Sequence, residues 1–191
     1  MMRILLVTEG ASDEPVAARL IRHALPDASV LAKRLPARGF AVVAREVEIW
    51  VRAAHFGHFD LLVIHFDLDD SISATFEDVS ESKRWQEVRD AADKVLESLP
   101  QGGRVDALCV VLMSPCQSTE AWLAWGIENE NGRAWEKSHR HILKTKLFGN
   151  PPRGLTRKAE DMAEKLIGQM AVNERWPQSL RNFMDHLRRG M

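Results

Sequence analysis

A chain of 191 residues, 45% hydrophobic and 28% charged, can bury a core as one domain, or as one domain with a helical annex. A net charge of −1 gives no overall attraction to nucleic acid or to a membrane surface. Two cysteines are too few for a zinc ribbon or a disulfide framework, and the absence of tyrosine excludes any mechanism with a tyrosine nucleophile.

Met1-Met2-Arg3 leads straight into a strand and carries no signal-peptide pattern. No apolar stretch approaches the length of a membrane span, so cytoplasmic residence without a membrane is expected. A first strand is expected over 2–8, where Ile4-Leu5-Leu6-Val7-Thr8 runs into Glu9-Gly10. An apolar run without alternation reads as a strand covered on both faces. Ser12-Asp13-Glu14-Pro15 opens a helix: serine or aspartate can cap it, acids suit its first turn, and proline is tolerated there. Val16, Ala17, Leu20, Ile21 and Ala24 give that helix its apolar face, and Pro26 ends it.

A second strand is expected over 28–34, followed by a helix with Val43, Val47, Trp50, Val51 and Ala54 on one face, stopping near Gly57. A third strand, 60–66, runs into Asp67-Leu68-Asp69-Asp70. An irregular loop over 71–81 and a helix over 82–99 follow, then a turn at Pro100-Gln101-Gly102-Gly103. A fourth strand covers 105–113, and Cys109 within it reads as a buried free thiol. Ser118–Ile127 reads as a short amphipathic helix with Trp122, Leu123 and Trp125. The final third is helical, with one apolar stripe through Ala159, Met162, Ala163, Leu166, Ile167 and Met170 and another through Leu180, Phe183, Met184 and Leu187. This alternation predicts an α/β fold with a mostly parallel sheet and covering helices. The core is expected over 1–127, with a helical C-terminal extension, 128–191, packed on it.

Acids at the ends of buried strands are the chemical signal. Ligands of open α/β sheets gather at the carboxyl ends of the strands. Carboxylates clustered there repel unless a proton or cation neutralises them, and Mg²⁺ suits a few carboxylates with water and phosphate. Asp67 and Asp69 share strand parity and would point the same way. Gly10 permits a sharp turn beside Glu9 and close substrate approach, and Ser12 stands where the first helix offers free N–H groups to a phosphate. Asp70 is open between metal ligand and turn residue, and Glu120 between site acid and ordinary first-turn acid. Asp13 reads as a helix cap and His65 as a satisfied core histidine. His139 and His141, two apart, are expected on different helical faces. Between 133 and 158 the charged residues are all basic except Glu136. That stretch is a solvated face or, with a polynucleotide substrate, a source of backbone contacts from Lys144, Lys146, Arg153, Arg157 and Lys158.

Four segments together resemble a known family. Glu9-Gly10-Ala11-Ser12-Asp13 resembles the Glu-Gly-x-Ser/Thr-Asp/Glu opening of Toprim domains, and Asp67-Leu68-Asp69 their Asp-x-Asp. Pro115 through Glu120-Ala121-Trp122-Leu123, and the closing Ser179-Leu180-Arg181-Asn182-Phe183, are similar to segments of the small RloB-like and domain-of-unknown-function 4276 proteins. The resemblance implies a Rossmann-like fold with a four-stranded parallel sheet. It implies Glu9 as general acid or base, Asp67 and Asp69 as Mg²⁺ (or Mn²⁺) ligands, and Glu120 as an additional acid. Without tyrosine or a cysteine cluster, the implied activity is that of the nuclease-type members, the OLD-type nucleases among them. Some relatives are defence or toxin components that work beside a separate ATPase, which fits the absence here of a Gly-x-x-x-x-Gly-Lys-Ser/Thr loop. The alternative expectation is a non-catalytic Toprim-like module that binds nucleic acid or a partner.

Overall fold

Apolar runs with hydrophobic side chains on both faces can only be satisfied inside a layered structure, and they pair here into one sheet. In the computed structural model, which describes residues 1–35, 39–68, 78–100, 108–128, 135–150, 153–172 and 174–189, the strands are β1 (Arg3–Thr8), β2 (Ser29–Arg34), β3 (Leu61–His65) and β4 (Cys109–Met113). Their order is β2-β1-β3-β4 and every pairing is parallel. Ile4 stands opposite both Val30 and Leu61, and Leu61 opposite Cys109, so all four strands end at one edge. β2 is the half-exposed outer strand; its Lys33 and Arg34 discourage further pairing there. The expected strands agree within a residue or so, except that β4 begins later; 105–107 lie outside the described residues.

Strand alternation sorts the core into two halves. Ile4, Leu6, Leu61, Val63, Val111 and Met113 face α1 (Asp13–Ala24), α4 (Thr119–Glu128), α6 (Leu155–Val172) and α7 (Gln178–Arg189). Leu5, Val7, Leu62, Ile64, Val110 and Leu112 face α2 (Phe40–Phe56) and α3 (Lys83–Ser98). The result is a Rossmann-like α/β/α sandwich, and the C-terminal helices share one continuous core with the sheet. Among the described residues no helix is long and apolar enough to cross a membrane.

Five expectations need correction. Helix α4 is not amphipathic: every residue from Thr119 to Gly126 is buried, because the sheet, α5 (Arg140–Phe148) and α6 enclose it. A side chain at Gly126 would bring its Cβ within 2.6 Å of Leu166 Cα, so glycine sets the close approach of α6. Helix α5 has no counterpart among the expected apolar stripes, since it buries only Leu143 and Phe148. His139 is the N-cap of α5 rather than part of it, and its ring lies 5.6 Å from that of His141. Directly before α3, the described residues Val79–Glu81 form a 3₁₀ turn closed by a capping box from Asp78, where an irregular loop is expected from the sequence. Cys109 is half-buried rather than fully enclosed; burial raises its thiol pKa, which nearby Arg89 opposes.

Candidate functional site

At the carboxyl edge of the sheet, hydrogen bonds hold the backbone beyond β3 and β1. Beyond β3, Phe66 N–H donates to Met113 O at 3.2 Å and Leu68 N–H to Pro115 O at 3.0 Å, while Arg84 reaches the Leu68 carbonyl at 2.6 Å. Asp67 sits between these anchors. Beyond β1, the Gly10 carbonyl accepts from Asp13 and Glu14 N–H, which starts α1 immediately after Glu9. A Cβ on Gly10 would collide with the Asp13 carboxylate, so glycine here serves packing of the acids as well as the turn. Glu9 continues the strand parity that faces α2, and its Oε2 accepts from Gly39 N–H at 3.1 Å. Gly39 is the N-cap of α2 at φ +102°, a conformation that favours glycine.

Four carboxylates converge in this region while almost sealed from solvent: Glu9 is 8% exposed, Asp13 and Asp67 2%, and Glu120 1%. Buried carboxylates are normally paired or bonded. Here Glu9 Oε1, Asp13 Oδ1, Asp67 Oδ1 and both Glu120 oxygens have no hydrogen-bond partner among the described residues. Burial, and next the Asp13 carboxylate, push Asp67 well above the usual carboxylate range; Glu120 and Glu9 add to the rise. Arg140 opposes it, with Nη1 3.1 Å from Asp67 Oδ2. His65, on the same face of β3, is fully buried; its Nε2 meets Thr119 Oγ1 at 2.8 Å and lies 3.8 Å from Asp67 Oδ1. Its Nδ1 has no partner among the described residues, so this histidine is only half satisfied.

A cavity of about 190 Å³ is lined by Glu9, Gly10, Ser12, Asp13, Gly39, Arg140, Lys144 and Leu155, so it touches two of the four acids and not Asp67 or Glu120. Ser12 occupies the N-cap position of α1 without a side-chain capping bond, and Asp13 is the first helical residue rather than the cap. Asp69 and Asp70 lie outside the described residues. Of the five basic residues expected to touch a polynucleotide, only Lys144 lines this cavity. Lys146 is drawn to Glu128 at 2.6 Å and over the Trp135 ring, and Lys158 points to the Phe148 carbonyl at 3.4 Å. Arg153 and Arg157 are exposed. Arg140 and Asp13 are the residues that sequence reading passed over. The first was one base among many, and the second carried the same pattern as any helix-capping acid.

The donor set tests whether a divalent cation fits. The unpaired atoms are carboxylate oxygens, the chemistry of a hard cation such as Mg²⁺ rather than of zinc or copper. Among the described residues no three His, Cys, Asp or Glu side chains stand at the spacing of a metal-ligand set. The unpaired oxygens are thus of the kind a hard cation takes, while the described residues do not by themselves complete a ligand set. Compared with protein-family models, curated proteins and solved structures, the chain matches none.

Proposed function

We propose that this chain is a Mg²⁺-dependent nuclease, or a related phosphotransfer enzyme acting on nucleic acid. One observation carries the reading: buried carboxylates with unpaired oxygens stand at the carboxyl edge of a parallel sheet, where Glu9 and Asp13 share one cavity with Arg140 and Lys144 and Arg140 pairs with Asp67. The Toprim-like motifs support it, because Glu9 and Asp67 follow the adjacent parallel strands β1 and β3 at that edge. Asp67 and Glu120 are the described residues that would hold the cation, with Asp13 beside them. Bound there, Mg²⁺ or Mn²⁺ would neutralise charge on the phosphate oxygens during in-line displacement.

The chain's own groups divide the remaining work. Glu9 Oε1 is the oxygen available to take or give a proton, because Oε2 is held by the Gly39 N–H. Arg140 and Lys144 supply positive charge to a polyanion that the acids would otherwise repel. Leu155 limits solvent on the far wall. A role as a defence component beside a separate ATPase accords with the motif resemblance.

The test is cleavage of labelled single- and double-stranded DNA and RNA in Mg²⁺, Mn²⁺ or EDTA. Cleavage should require the divalent cation and fall by roughly 100-fold or more in Glu9→Gln, the scale of a lost general acid or base. Binding without cleavage, unchanged by EDTA and by Glu9→Gln, would instead establish a non-catalytic binding module.

A further inference from the structure

Arg140 belongs to neither strand nor loop of the acidic edge. It reaches in from the first turn of α5, and its guanidinium pairs with the buried Asp67 carboxylate while also lining the cavity. Lys144 follows one helical turn later and lines the same cavity. The two bases differ in one respect. Arg140 Nη1 sits 3.1 Å from Asp67 Oδ2, whereas Lys144 lines the cavity with no ion pair to Asp67. A guanidinium and a divalent cation compete for one carboxylate, since each neutralises the same charge and their own repulsion in a buried setting is strong.

Building on the proposed function, we infer that Arg140 is a latch between the cation site and the substrate site. It holds Asp67 in the cation-free protein. When a divalent cation takes Asp67, the guanidinium leaves that carboxylate and turns toward Lys144 within the cavity both already line, where the two bases receive a substrate phosphate. Arg140 thus couples cation binding to phosphate binding: the cation creates the anion site by releasing the arginine that forms it. The Arg140 side chain is 35% exposed, so the core does not enclose it. The planar fork of arginine suits both partners, carboxylate and phosphate.

The experiment measures two bindings and no turnover. Mn²⁺ is titrated calorimetrically into wild type, Arg140→Gln, Arg140→Lys and Lys144→Gln. A labelled single-stranded oligonucleotide is then titrated by anisotropy, with Mn²⁺ or EDTA, in the same proteins carrying Glu9→Gln to prevent cleavage. Arg140→Gln should bind Mn²⁺ roughly tenfold tighter than wild type, as expected when a competing ion pair is removed. Arg140→Lys should fall between, and Lys144→Gln should leave Mn²⁺ affinity unchanged. Oligonucleotide affinity should rise with Mn²⁺ in the parent protein, and Arg140→Gln should lose that rise despite holding Mn²⁺ better. These opposite signs are what a merely structural arginine would not produce. If wild type binds Mn²⁺ but Arg140→Gln binds it no tighter, or Lys144→Gln tightens it equally, the latch is wrong while the cation site stands. If Arg140→Gln holds Mn²⁺ better yet keeps the cation-induced rise in oligonucleotide affinity, the phosphate half is wrong. If no protein of the series binds Mn²⁺, the latch and the proposed function fall together.

Discussion

Asp67 shows how burial and charge set behaviour at one residue. Its folded pKa is raised, by burial first and Asp13 second, above its unfolded value. Between the unfolded and the folded pKa, the folded state therefore keeps a proton that the unfolded chain releases. Stability is fully present below the unfolded value of about 4 and declines as pH rises toward the folded pKa. Asp67→Asn removes this dependence. In EDTA its melting temperature should exceed that of wild type at neutral pH, with the gain shrinking toward pH 4; thermal scans across pH check it. A lower melting temperature at neutral pH would mean that the ion pair with Arg140 outweighs repulsion within the cluster. Gly39 is a second sensitive position, since it donates to Glu9 from φ +102°. Gly39→Ala should cost about 1–2 kcal/mol in urea unfolding, the scale of a left-handed backbone penalty. Glu9 and Asp67 were legible in the sequence because each ends an apolar run. Gly39 was not, because only the folded backbone brings its N–H to Glu9.

Among the elements, α7 explains why the tail of the chain belongs to the core. The Ser179 hydroxyl accepts from Trp122 Nε1 at 2.8 Å and Cys116 N–H at 3.3 Å, and it donates to Glu136. Glu136 also accepts from Gln178 and Ser179 N–H, capping α7 through a residue distant in sequence. Trp122 stacks on Phe183 with 18° between the rings. Ser179→Ala leaves a buried indole N–H unpaired and should cost about 1–3 kcal/mol. Gly126→Ala forces α4 against α6 and should cost a similar amount, about 1–3 kcal/mol, by overpacking. Denaturant titration checks both. The four strands and the stripes of α6 and α7 were legible because periodicity carries them. The burial of α4 was not, because a helix enclosed on all sides depends on α5, whose few apolar residues leave a faint stripe.

At the scale of the whole molecule, a nearly neutral chain places its useful charge by folding. The basic stretch splits: Lys146 and Lys158 turn to local partners, while Arg140 and Lys144 are brought to the acidic edge. Oligonucleotide affinity should therefore fall with salt, and Lys144→Gln should flatten that slope by about one unit. Lys146→Gln, already paired with Glu128, should change it less. Anisotropy over a salt series separates the two. The proposed divalent-cation site among the buried acids is tested most directly by anomalous diffraction from crystals soaked in Mn²⁺. A Mn²⁺ peak in contact with the Asp67 carboxylate, with Arg140 moved away from it, is the expected result. A soaked crystal with Arg140 still on Asp67 and no peak among Glu9, Asp13, Asp67 and Glu120 would contradict it.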